Sequence, residues 1–398
     1  CALPIYLLDA AIAEEPVPQD ALHRMFLSAP ESAADEDLER ALNRYARNER
    51  VASRPSKATG QKPGTPPRVV IHIGATKTGS TTLQNLMSEN RPALLRQGIW
   101  YPEVGLFWQR TRPHKQAGHA DFAKAAVRGD RQLRRYIEAG LKRMPHIHTI
   151  VLSSEAFFLN TTSHAMVNYF DGFPVEMVVY LRRQDQWANS QYAEFVAGGA
   201  INRVSTDFEL WLAEPETRIW LDYAALIKRW RTVLPADRII ARLYGKGGAR
   251  PETNGPGWDI VDDFASVTRL TELRDLAPLE RRLRNSDRLS TPHVALVRQY
   301  NTREFPSHDA YLSFVEDATA ALRTWRRDRD MPMPAPWFLT EALSERVIRD
   351  VADSNSWLAH EVFGWDPGAR LPERAEPPAP TGLLANEIAI VESNYDRH

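Results

Sequence analysis

Cysteine is almost missing from this chain: Cys1 is the only one in 398 residues. A single thiol excludes an intrachain disulfide framework and points to a reducing compartment, so the expected location is cytoplasmic. No apolar run approaches the length of a membrane span, since the longest stretches are strand-sized. Charge of one sign is also lacking. With 50 Lys and Arg against 51 Asp and Glu the net charge is −1, which excludes a globally basic nucleic-acid binder. The opening Cys-Ala-Leu-Pro-Ile-Tyr-Leu-Leu has no basic n-region and is a poor signal peptide. It has no initiating Met either, and the chain reads as a fragment or a processed product.

What is present fits a soluble globular protein: 43% of residues are hydrophobic and 25% charged. A length of 398 residues gives a soft prior of two to three domains and suffices for a large core. Charge is uneven, with 10 acids against 5 bases in residues 1–50 and 12 bases against 4 acids in 91–150. The basic excess reads as solvated helix faces or, more sharply, as a positive rim around a polyanionic ligand.

Residues 68–84 organise the rest. Val69, Val70, Ile71, His72 and Ile73 form a mostly β-branched apolar run, followed at once by a Gly/Thr/Ser-rich turn. That pattern predicts a buried strand feeding a tight loop. From Gly79 onward, Thr81, Thr82, Leu83 and Leu86 predict a helix with hydroxyls in its first turn. A strand, a small-residue loop and a helix start together make an anion cradle, because unpaired N–H groups and the positive end of the helix dipole converge there.

Loop spacing narrows the anion. Gly74 and Gly79 have the separation of a Walker A loop, but Ser80 stands where the lysine belongs, and the loop's own lysine, Lys77, comes two residues before Gly79. No later strand closes on the Asp that would hold magnesium; the candidates end in Ser153-Ser154-Glu155 and Leu181-Arg182-Arg183. A triphosphate enzyme leans on that metal. The loop fits a phosphate ester that needs none.

At these residues the chain resembles the sulfotransferases that use 3′-phosphoadenosine-5′-phosphosulfate. Their first signature is a strand followed by K-T/S-G-T/S-T/S, matched by Lys77-Thr78-Gly79-Ser80-Thr81. Their second is a strand ending in Arg with a Ser eight residues later, matched by Val178-Val179-Tyr180-Leu181-Arg182 with Ser190. The family often has Asn-Pro or Asp-Pro after that arginine, where this chain has Arg183-Gln184, which makes Arg183 an alternative to Arg182. Leu221-Asp222-Tyr223 with Trp230, Asn285-Ser286 and Leu289-Ser290 extend the resemblance. It implies a P-loop-like α/β domain and 3′-phosphoadenosine-5′-phosphosulfate as co-substrate, with no metal.

In chain order, 1–67 holds one amphipathic helix (35–47) and a Pro/Lys/Gly-rich linker. The sulfotransferase-like domain is expected over 68–366, and 367–398 reads as a Pro-rich tail. Strands are expected at 149–152, 175–181 and 239–243, with a short extended segment at 99–102. They alternate with helices, which predicts a parallel sheet covered on both faces. The part after the glycine-rich stretch 245–257 is expected to be helical.

The resemblance implies a role for each matched residue. Lys77 is placed at the bridging oxygen, where negative charge grows as the S–O bond breaks. Thr78, Gly79, Ser80, Thr81 and Thr82 supply donors to the 5′-phosphate, although ordinary N-capping explains such residues too. Arg182, at the carboxyl end of a central strand, and Ser190 hold the 3′-phosphate. Glu155, after the second long strand, is the candidate general base, its basicity raised if Phe157 and Phe158 bury it; a helix-capping or ion-paired carboxylate is the competing reading. His119 and His114 are the other candidate bases, and His146-x-His148 is a weak metal signal. The acceptor is expected to carry a free hydroxyl, on a carbohydrate or a small molecule, with Trp100, Trp108, Trp187, Trp211 and Trp220 available to stack on it. The competing functions are a P-loop kinase, against which the missing Walker lysine counts, and a catalytically silent nucleotide-binding module.

Overall fold

The computed structural model describes residues 65–74, 76–106, 118–158, 162–198, 203–245, 258–276, 289–365, 377–379 and 382–398. The expected helix at 35–47, most of the linker after it, Trp108, His114 and Asn285-Ser286 lie outside them. The described residues fall into two compact units, one within 5–181 and 224–282, the other within 182–223 and 283–398. The expected 68–366 domain contributes to both.

The first unit is an α/β layer structure. Its sheet has five strands: β1 (Arg68–Ile73), β2 (Ile99–Trp100), β3 (Thr149–Ser154), β4 (Val175–Leu181) and β5 (Ile239–Leu243). Their order is β2-β3-β1-β4-β5, and every pairing is parallel. A parallel sheet with helices on its faces must bury both sides of its inner strands. The sequence meets that demand: Val69, Val70, Ile71, Ile73, Ile150, Val151, Leu152, Val178 and Val179 are fully buried. Val70, Val151 and Val178 share one core with Leu83, Leu86 and Met87 of the helix Ser80–Glu89 and with Phe264 of the helix Ile260–Val267. Gly140, in the helix Gln132–Arg143, is required by close approach: a Cβ there would lie 2.2 Å from the Trp100 ring.

Strand order decides where a ligand can bind. β1 lies between β3 and β4: the chain leaves it toward β2 on the β3 side, and the later connection from β3 to β4 crosses to its other side. In open α/β sheets such a switch point opens a crevice at the carboxyl ends of the strands. The turn after β1 therefore occupies the place where this fold class binds ligands.

The second unit is helical. Its helix Gln184–Ala197 is buried on nearly all sides, with Trp187 packed 5.7 Å from Trp220 and Tyr192 ringed by Phe208, Trp211 and Phe338. The helices Thr291–Tyr300, His308–Arg327, Glu341–Asp350 and Ala352–Glu361 follow. The expected tail departs from its reading at the far end: Ala385–Tyr395 is a helix whose Glu387 and Val391 are fully buried. It is held by charge as well as by apolar contact. Glu387 accepts from Arg326 at 2.5 Å and bonds His293 at 2.9 Å.

Candidate functional site

β1 ends at Ile73, and the chain turns sharply before the helix Ser80–Glu89. Two residues of the turn take left-handed backbone, Lys77 at φ 63° and Gly79 at φ 79°. For Lys77 this is an uncommon conformation that surrounding structure must hold in place. At Gly79 only glycine fits, because a Cβ would lie 2.7 Å from Ile260 Cδ1 and 3.0 Å from Tyr244 Cε2. Gly79 is also the helix N-cap and has no side chain with which to cap it. A helix start of this kind offers its first-turn N–H groups and its positive dipole end to an anion. Thr78 and Ser80 are buried in the turn, while Thr81 and Thr82 are half-buried.

The end of β3 comes to the same place. Gly74 N donates to Ser154 O at 3.1 Å, and Glu155 follows directly in a short 3-10 turn, Glu155–Phe158. Ser80 Oγ donates to Glu155 Oε1 at 2.6 Å, and Gln84 Nε2 donates to Glu155 Oε2 at 3.2 Å. Gly74 makes room for this approach: a Cβ there would lie 3.1 Å from Ser80 Cβ and 3.2 Å from Glu155 Cδ. Of the sequence candidates, Lys77 to Thr82 and Glu155 thus belong to one turn and its neighbour. Phe157 and Phe158 are buried, whereas Glu155 itself is half-buried.

His119 has a different job from the one its position in the sequence offers. It is fully buried, with Nε2 bonded to Pro102 O at 2.9 Å and Nδ1 accepting the Ser153 N–H at 3.2 Å. Burial holds the imidazole neutral, its pKa pushed down to about 3. Both ring nitrogens are committed to main chain, which leaves no lone pair for an acceptor proton. His119 is a post that ties the segment at Pro102 to β3.

Two residues at the site escaped sequence reasoning. His72, inside β1, bonds the Ser153 hydroxyl at 2.8 Å and is likewise pushed down to about 3 by burial. Gln84 lies one helical turn beyond Ser80, and that i to i+4 spacing on a loop helix is the one signal that could have found it.

The second motif lies in the second unit. Arg182, the residue after β4, donates through Nη1 to Ser190 Oγ at 2.9 Å, so the two matched residues are partners. The Tyr223 hydroxyl donates to Arg182 O at 2.9 Å and fixes its main chain. Arg183 is engaged elsewhere. Its Nε pairs with Asp185 at 2.9 Å, and that buried carboxylate also accepts from Ser344. Of the two arginines it is Arg182 that bonds Ser190.

Several polar and aromatic candidates are structural. Arg134 donates to Tyr169 O and Asp171 O, and Arg91 to Tyr101 O, so part of the basic excess in 91–150 serves main-chain carbonyls. His146 bonds Leu95 O, and His148 bonds Gln97 O. No group of three or more His, Cys, Asp or Glu could hold a metal ion among the described residues. Trp100, Trp187, Trp211 and Trp220 are buried in the cores of their units, where no acceptor can stack on them. Among the described residues no helix is long and apolar enough to cross a membrane.

No family model matches the chain. No curated protein matches it. Among solved structures, the chain is similar to a sulfotransferase from Alicyclobacillus acidocaldarius: 19% identity, a match covering 55% of this chain and 88% of that one, and a TM-score of 0.35.

Proposed function

We propose that this protein is a sulfotransferase that moves a sulfuryl group from 3′-phosphoadenosine-5′-phosphosulfate to an acceptor hydroxyl, on a carbohydrate or a small molecule, without a metal. The observation that supports this reading most is the 2.6 Å hydrogen bond from Ser80 of the loop to Glu155. It puts a carboxylate within reach of a turn whose left-handed residues and uncapped helix start suit a phosphate.

In this reading the acceptor oxygen forms a bond to sulfur as the bridging S–O bond breaks. Glu155 takes the acceptor's proton, and the electron pair of the broken bond leaves on the 5′-phosphate oxygen. Lys77 and the first-turn N–H groups stabilise that growing charge. Arg182 and Ser190, already hydrogen-bonded to one another, hold the 3′-phosphate that distinguishes this donor from adenosine triphosphate.

A ligand that binds only the folded state raises its apparent stability. Adenosine 3′,5′-bisphosphate with a chelator present is expected to raise the melting temperature more than adenosine triphosphate with magnesium does. The reverse ranking favours a kinase, and a shift with the bisphosphate in a protein that does not consume the donor favours a silent nucleotide-binding module.

A further inference from the structure

Glu155 is held by two side chains of the loop helix that stand in different relations to the donor. Ser80 belongs to the phosphate-binding turn. Gln84 lies one turn deeper, is only 6% exposed, and donates through one amide nitrogen to both carboxylate oxygens, at 3.2 Å and 3.4 Å. Gly118 backs the amide closely, since a Cβ there would lie 3.2 Å from Gln84 Nε2.

A serine hydroxyl has a single O–H to give. In the structure it goes to Glu155. If the donor's 5′-phosphate takes that hydrogen bond, Glu155 loses its shorter partner at the moment its position matters most, and its Oε1 lone pair is released toward the acceptor. One donor remains to orient the carboxylate.

Resting on the sulfotransferase reading, we propose that Gln84 is the positioning residue for the general base: it keeps the Glu155 carboxylate in place when donor binding draws the Ser80 hydroxyl away. Gln84 touches neither donor nor acceptor in this scheme. It acts through Glu155 alone.

The test uses the full chain and follows donor hydrolysis, with water in place of the acceptor hydroxyl, as release of adenosine 3′,5′-bisphosphate. Gln84→Met removes the N–H donors. It is expected to lower kcat by roughly tenfold to a hundredfold, the scale of losing a hydrogen bond to a charged group. Affinity for adenosine 3′,5′-bisphosphate, measured by calorimetry, should stay within about twofold, because the amide is not part of the donor site. Gln84→Leu, also without N–H donors and adding no charge beside Glu155, serves if the Met variant does not fold, and the same loss is expected of it. In a Glu155→Gln background neither change should slow turnover further, since residues acting as one unit do not add. Wild-type kcat in both variants overturns the proposal. So does a loss that multiplies with Glu155→Gln, or a parallel loss of bisphosphate affinity. A wild type that neither binds the bisphosphate nor consumes the donor removes the sulfotransferase reading, and the proposal with it; a wild type that does both while the Gln84 variants behave normally removes the proposal alone.

Discussion

Ser80 Oγ and Glu155 Oε1 lie 2.6 Å apart, the one at the helix start that follows β1 and the other just past the end of its parallel neighbour β3. Glu155→Gln keeps the shape of the side chain and can still accept through its amide oxygen, but it cannot take a proton. We expect turnover to fall by roughly a hundredfold or more, the usual worth of general base catalysis, with donor affinity nearly unchanged. Turnover at saturating donor, set beside calorimetric affinity for adenosine 3′,5′-bisphosphate, checks this. A variant with wild-type turnover would remove Glu155 from the reaction.

In the proposed reading, Arg182 and its hydrogen-bond partner Ser190 serve only the 3′-phosphate of the donor. Arg182→Ala should weaken binding of the 3′-phosphorylated bisphosphate by at least tenfold, on the scale of a charge-assisted hydrogen bond, while adenosine 5′-phosphosulfate loses little. Equal losses for the two ligands contradict the assignment. Arg183→Ala should be milder for both, because Arg183 is spent on Asp185.

How much of this was legible in the sequence depends on the range of the interaction. β1 could be read because Val69, Val70 and Ile71 are β-branched and buried on both faces, and the turn because glycine, threonine and serine cluster there. Glu155 was singled out through the family resemblance, by its place after a strand. The order β2-β3-β1-β4-β5 was not, since pairings between residues as far apart as Ile73 and Ser154 leave no local trace. The tryptophans misled for a related reason: an aromatic ring suits a core and a sugar face equally, and only burial tells them apart. His119 looked like a loop imidazole until Pro102 O and Ser153 N claimed both its nitrogens. The helix Ala385–Tyr395 hid behind proline-rich sequence and a charged residue, Glu387, at a position where periodicity expects an apolar one.

The buried imidazoles make stability depend on pH. His72 and His119 have folded-state pKa values lowered by burial to about 3, against 6.5 in the unfolded chain. Above pH 6.5 neither state takes up a proton at these sites and no slope arises. Below it the unfolded chain binds protons that the folded chain refuses, so stability is lost as pH falls from 6.5 toward 3. Two such groups give a slope approaching about 2.7 kcal/mol per pH unit. His293 and His308, also lowered by burial, add in the same direction. Urea unfolding at pH 7.5, 6.5, 5.5 and 5.0, before most carboxylates titrate, measures the slope. A flat profile would show that these rings are protonated or solvated in the folded state.

The terminal helix supplies the last prediction. Glu387 is fully buried and accepts from Arg326, from His293 and from its own Leu384 N–H. Burial alone would raise its carboxyl, but the hydrogen bonds from Arg326 and His293 outweigh it and hold the pKa at about 2. Removing one partner of a buried ion pair costs more than removing both, because the survivor keeps an uncompensated charge. Glu387→Ala strands the Arg326 guanidinium, itself only 2% exposed, and should cost about 3 to 5 kcal/mol. In a unit of this size that corresponds to a melting temperature lower by about 10 °C. Glu387→Ala combined with Arg326→Met buries no lone charge and should recover a good part of the loss. Thermal unfolding of the wild type, the single and the double variants decides the matter: a double variant no more stable than the single would mean that the helix is held by Val391 and its apolar neighbours, and that the ion pair is incidental.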